Sequence, residues 1–110
     1  ITTLPSGFKL PNNLIFCEMV FFGCENLSSI NNGFKLPTTL KTCNALFGRC
    51  SSLTALPDEF TVPEGVVDMY GTFYGTAISK VPTGFAIPST VKYASLLFAD
   101  CYAALVLYYT

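Results

Sequence analysis

The sequence predicts an α/β solenoid of four coils of 25–26 residues, each with short strands and a two-turn helix. Three observations carry that expectation. One phrase recurs along the chain: Leu4-Pro5-Ser6-Gly7-Phe8-Lys9-Leu10-Pro11 returns at Ile30 to Pro37, at Leu56 to Pro63 and at Val81 to Pro88. A second column, Phe21, Phe47, Phe73 and Phe98, keeps the same step as Phe8, Phe34, Phe60 and Phe85. Within each copy the apolar spacing changes from a period of two to a helix-like one. A fixed step of this length is the mark of a repeat architecture. The coils fall at about 1–27, 28–53, 54–78 and 79–101, with 102–110 as a C-terminal cap or the start of a following segment.

Each coil carries Phe8-Lys9-Leu10 or its copy, where two apolar residues flank a variable one, as in a short strand with one buried face. The variable column holds Lys9, Lys35, Thr61 and Ala86 and is expected to point outward. A Pro closes each segment, which limits ladder pairing because Pro has no N–H. Leu27 with Ile30, Leu53 with Leu56 and Ile78 with Val81 bracket polar pairs and suggest a second brief extended segment. The last part of each coil places apolar residues at i, i+3, i+4 and i+7: Cys43, Leu46, Phe47 and Cys50. The copies read Cys17, Val20, Phe21, Cys24, then Met69, Thr72, Phe73, Thr76, then Ala94, Leu97, Phe98, Cys101, with Gly23, Gly48 and Gly75 as stops. Such short helices are marginal unless docked. Stacked copies would form Phe ladders and bury what one coil cannot.

The run Phe47-Gly48-Arg49-Cys50-Ser51-Ser52-Leu53-Thr54-Ala55-Leu56-Pro57, echoed by Phe22-Gly23-Cys24-Glu25-Asn26-Leu27 and Tyr74-Gly75-Thr76-Ala77-Ile78, resembles the BspA-type leucine-rich repeat family over about residues 1 to 101. The resemblance implies a leucine-rich-repeat-like solenoid in which this phrase ends a helix and begins a strand. It also implies a non-enzymatic adhesion protein, displayed at a cell surface or secreted. The step of 25–26 is longer than the family's common one of about 23, and the Pro and Gly-Phe columns are heavier.

Composition narrows the function classes. Six basic and seven acidic residues give a net charge of −1 with no run of like charge, so the field that nucleic acid requires is missing. Histidine is absent, which removes the commonest general base and metal ligand together. The longest apolar run, Ala103 to Tyr109, is too short for a membrane span. The chain opens at Ile1 without a signal-peptide pattern and reads as a processed chain or a fragment. Without a polar cap at either end, the array is expected to be flanked by more polypeptide or by another subunit.

Five Cys leave at least one unpaired. Cys17 with Cys24 and Cys43 with Cys50 repeat one spacing, but on a helix that separation is about 10 Å, too far for one zinc. Their columns also accept Met69, Ala94 and Thr76. Buried structural thiols are the expectation, with a disulfide between stacked Cys geometrically allowed. No metal or other cofactor is expected. The carboxylate pairs Asp58 with Glu59 and Glu64 with Asp68 read as a solvated turn and a helix start, so no catalytic residue is assigned and the chain is expected not to be an enzyme. Asn26-Leu27-Ser28 matches a glycosylation acceptor, although Leu27 reads as a core column.

The expected function is recognition or adhesion, binding a protein or glycan partner on an extended solenoid face. Residues that differ between coils are its candidates: Lys9, Lys35 and Thr61 of the outward column, with Tyr70 and Tyr93 as aromatic contact points. The alternative is a structural subunit of an extracellular or virion-type assembly, associating end to end with further repeats or subunits.

Overall fold

The computed structural model describes residues 2–5 and 7–101. The expected cap at 102–110 lies outside them. Among the described residues there is no helix and no multi-residue strand; regular pairing is limited to isolated parallel bridges, Thr3–Ser29, Phe16–Thr42, Thr42–Asp68 and Asp68–Tyr93. The α/β solenoid with a helix and strands in each coil is therefore corrected, and with it the leucine-rich-repeat reading. The repeat is realised instead as a stack of coils built from turns.

The reason lies in where the backbone hydrogen bonds go. An α-helix sends every N–H to the carbonyl four residues back. Here alternate amides leave the coil: the N–H groups of Cys17, Met19, Phe21 and Gly23 donate to the carbonyls of Thr42, Asn44, Leu46 and Gly48, at 2.8–3.0 Å. Those of Cys43, Ala45, Phe47 and Arg49 go on to Asp68, Tyr70, Thr72 and Tyr74, and those of Met69, Gly71, Phe73 and Gly75 to Tyr93, Ser95, Leu97 and Ala99. The amides between them close turns within the coil, Leu46 to Cys43, Gly48 to Ala45 and Cys50 to Phe47. The segment is thus a ribbon of overlapping turns; in coil 2 three of its amides close turns locally and four hold the next coil.

This ribbon needs left-handed backbone at two columns. Met19, Ala45, Gly71 and Leu96 have φ of 50 to 61°, and Gly23, Arg49, Gly75 and Asp100 have φ of 59 to 75°. A helix cannot contain such residues. Cys43, Leu46, Phe47 and Cys50 are nonetheless fully buried, because the turns return the same four positions to the interior.

The Phe-x-Leu segments are not ladder strands either. A turn precedes each, closed by the N–H of Phe8, Phe34, Phe60 and Phe85 on the residue three back. Another follows, closed on Pro11, Pro37, Pro63 and Pro88 by Leu14, Leu40, Val66 and Val91. Flanked so closely, the triplets of Phe8, Phe34 and Phe60 form no backbone bond between coils among the described residues. Lys9, Lys35, Thr61 and Ala86 are exposed, while the flanking apolar residues face the core.

Two aromatic columns fill that core. Phe8, Phe34, Phe60 and Phe85 stack with centroids 6.3–6.5 Å apart. Phe21, Phe47, Phe73 and Phe98 stack at 5.2–6.1 Å. The columns meet edge to face, Phe34 on Phe47 and Phe60 on Phe73, both at 6.1 Å. Both arrangements are favoured by the ring quadrupole, by about 0.5–1.5 kcal/mol per pair beyond area burial. The walls that carry the two columns therefore lie on opposite sides of one interior.

Candidate functional site

This two-walled geometry divides the residues singled out in the sequence. Lys9 and Lys35 come together on the triplet wall, lining an open groove of about 420 Å³ between the first two coils. Gly7, Gly33, Asn12, Asn31, Asn32 and Thr38 also line it, and no carboxylate is among its lining residues. Gly7 and Gly33 have φ of 81° and 92°, so the turns that shape the groove use conformations that glycine adopts freely.

Thr61 belongs to the same exposed column but lies one coil beyond the groove. The neighbouring hollow has the opposite character: Asp58 and Glu59 line it with Asn32 and Gly33. Tyr70 and Tyr93 are exposed on the turn-ribbon wall, away from the lysines. The five candidates thus form a lysine pair, a separate threonine and a distant aromatic pair.

The asparagines were not singled out in the sequence. Asn31 stands where the other coils have Pro5, Pro57 and Pro82, and its Nδ2 donates to the Leu4 carbonyl, tying coil 2 to coil 1 under the groove. That single break in the Pro column was the available signal. A second cleft, lined by Glu25, Arg49, Tyr74 and Asp100, has both charge signs, and its Arg49 is engaged by the Tyr74 ring at 5.3 Å.

On the ribbon wall Asn44 bridges two acids. Its Nδ2 donates to Glu18 Oε2 at 3.3 Å and to Asp68 Oδ2 at 3.1 Å. Glu18, Asn44 and Asp68 come from three successive coils, so this is a polar ladder across the stack rather than an acid–base pair.

The five cysteines are free thiols; Cys17, Cys43 and Cys50 are buried, and Cys24 and Cys101 are partly buried against the core. Burial pushes the Cys43 thiol up to about 12, against a partial lowering by its contact with Thr72, and burial pushes Cys50 up to about 11. Cys17 is raised for the same reason. At neutral pH these groups hold their protons, and a thiol rather than a thiolate is neither a good nucleophile nor a metal ligand. Cys50 Sγ donates to the Phe21 carbonyl at 3.0 Å and Cys101 Sγ to that of Phe73 at 3.1 Å, so both tie adjacent coils.

No family model, no curated protein and no solved structure matches the chain.

Proposed function

We propose that the chain is a non-catalytic recognition module, displayed at a cell surface or secreted, that takes a glycan or protein partner on the triplet wall. The groove holding both Lys9 and Lys35 carries this reading. Two ammonium groups with amide side chains and no carboxylate favour a partner bearing anionic groups, such as an acidic glycan. The acid-lined hollow next to it confines such a partner to the first two coils. Buried, protonated thiols and the absence of histidine fit a role without catalysis.

The test is binding to an array of sulfated, sialylated and neutral glycans. Retention on acidic glycans by the wild type, weakened about tenfold or more by the double substitution Lys9→Ala and Lys35→Ala and unchanged by Tyr70→Ala, is the expected pattern. Binding that survives the lysine substitutions, or no glycan binding at all, rejects this partner.

A further inference from the structure

Of the six asparagines, Asn32 alone is followed by glycine. Glycine has no Cβ to shield its amide nitrogen, which leaves that nitrogen open to the side-chain carbonyl carbon of the residue before it. Asn32 and Gly33 are the two central residues of the turn that the Phe34 N–H closes on the Asn31 carbonyl at 3.2 Å. Both are exposed, and nothing lies within 4 Å of the place a Cβ would take on Gly33. The Gly33 N–H donates to no described residue. The other asparagines are guarded. The amides that follow Asn13, Asn26 and Asn44, those of Leu14, Leu27 and Ala45, are held by the Pro11, Cys24 and Tyr70 carbonyls. Asn12 and Asn31 are each followed by another asparagine, whose Cβ stands in the way.

Asn32 also sits on a boundary of charge. It lines the groove of Lys9 and Lys35, which has no carboxylate, and the neighbouring hollow of Asp58 and Glu59. Its column reads Ser6, Asn32, Asp58 and Thr83. The stack thus already carries an aspartate at this turn position one coil on, where Phe60 closes the turn on Pro57 by the same hydrogen bond. A carboxylate at position 32 would bring the acidic character of the hollow into the groove.

We infer that Asn32 is a site of spontaneous deamidation, and that its conversion switches the lysine groove off. The Gly33 nitrogen gives up its proton and bonds to Asn32 Cγ; the Cγ–Nδ2 bond breaks and that nitrogen leaves as ammonia. One water then opens the five-membered succinimide that results. Cleavage of the new Cγ–N bond leaves aspartate with the main chain as before. Cleavage of the original peptide bond leaves isoaspartate, in which the chain runs through the side chain. The net change is amide and water to carboxylate and ammonium, with nothing oxidised or reduced. It adds one negative charge to a chain whose net charge is −1. That charge stands among lining residues that include both lysines and repels an anionic partner. The switching rests on the reading of the groove as an anion site; the modification itself does not.

Peptide mapping by mass spectrometry tests the modification on the folded chain and on a urea-unfolded control, both at mildly alkaline pH, where loss of the Gly33 amide proton is favoured. By the time the control has converted, the folded chain is expected to show a gain of one mass unit at Asn32, split between an aspartyl and an isoaspartyl peptide, ahead of every other asparagine. Asn32→Ser, which installs the residue that coil 1 has in this column, should show no such gain. An Asn32 still intact in the folded chain at that time, or conversion led by another asparagine, overturns the inference. Binding to acidic glycans tests the switch. Fresh wild type is expected to bind, with aged wild type and Asn32→Asp weakened about tenfold or more. Fresh and aged protein binding alike would overturn the switch. Fresh protein that binds no acidic glycan would reject the groove as an anion site and the switch with it, while the mass gain at Asn32 would still uphold the modification.

Discussion

The ring of Phe21 lies on that of Phe47 with 5.3 Å between centroids and 5° between planes. Phe47 is covered from the other side by Phe73 at 6.1 Å and is met at its edge by Phe34. It is fully buried, whereas Phe21 has no described ring beyond it. Phe47→Ala would open a cavity bounded by three other rings that belong to separate coils and cannot collapse together. The expected cost is about 3–5 kcal/mol. Phe21→Ala should cost less, because Phe21 is 8% exposed where Phe47 is fully buried, so its site is less completely enclosed. Urea unfolding of the two variants checks this, and equal midpoints would show that the rings do not act as a ladder.

The ladder was legible in the sequence because a residue column needs only a constant step. Spacing could not reveal the backbone that produces it. Cys43, Leu46, Phe47 and Cys50 have the spacing of a helical stripe and are buried as such a stripe would be. Overlapping turns bury the same positions, and the difference rests on whether alternate amides bond within the coil or to the next one. The clues were Gly71 standing where Met19, Ala45 and Leu96 occur, and Gly23 and Gly75 standing where Arg49 occurs. Such columns mark a left-handed position that glycine relieves and other residues tolerate. At the candidate site, the outward position of Lys9 and Lys35 followed from alternation. The groove between them did not, because it depends on the turn at Gly7 and Gly33 and on Asn31.

The left-handed column gives a paired prediction. Ala45 has φ of 50°, and Gly71, its equivalent one coil on, has φ of 61°. Ala45→Gly relieves the steric strain and should stabilise the fold by about 1 kcal/mol. Gly71→Ala should destabilise it by about 1–2 kcal/mol, with strain as the cause, since an added Cβ would come no closer than 3.7 Å to Tyr74. Opposite shifts in melting temperature are the expected outcome. Shifts of the same sign would contradict the assigned backbone.

Asn44 is placed to separate charges. Its amide donates to Glu18 and Asp68, and replacing it with a third carboxylate converts two attractions into two repulsions. Asn44→Asp should cost about 1–3 kcal/mol at pH 7. The introduced carboxyl would have its folded pKa raised above the unfolded value of about 4. Its neutral form therefore loses no stability below pH 4, and the deficit grows as pH rises through the folded pKa. The gap between wild type and variant should narrow in acid, as read from denaturant midpoints at pH 4 and pH 7.

Thr72 lies in the column of Leu46 and Leu97, yet it is polar and buried. Its Oγ1 is 2.8 Å from the Met69 carbonyl and 2.9 Å from the Cys43 carbonyl, linking coils 2 and 3. Both carbonyls also accept a backbone N–H, from Thr72 and Leu46. Thr72→Val therefore leaves no carbonyl without a partner, and the cost should be about 1 kcal/mol, that of one hydrogen bond. A loss above about 3 kcal/mol would mean that the hydroxyl satisfies a demand beyond these two carbonyls.

Alkaline unfolding should report the thiol at the centre of the stack. Cys43 has an ordinary value of 9.0 and is pushed up to about 12 by burial. Below pH 9 the thiol is protonated in both the folded and the unfolded chain, and pH has no hold on stability through it. Between pH 9 and 12 the unfolded chain releases the proton and the folded one keeps it. Stability then falls as pH rises, by up to about 1.4 kcal/mol per pH unit from this one group. Cys50, raised to about 11, adds a slope of the same sign. Cys43→Ala removes the first contribution while costing some packing, so its stability at pH 8 should be lower and its decline from pH 9 to 10.5 shallower. Parallel decline in wild type and variant would show that Cys43 titrates alike in the folded and unfolded chains, and that the stack admits water to it.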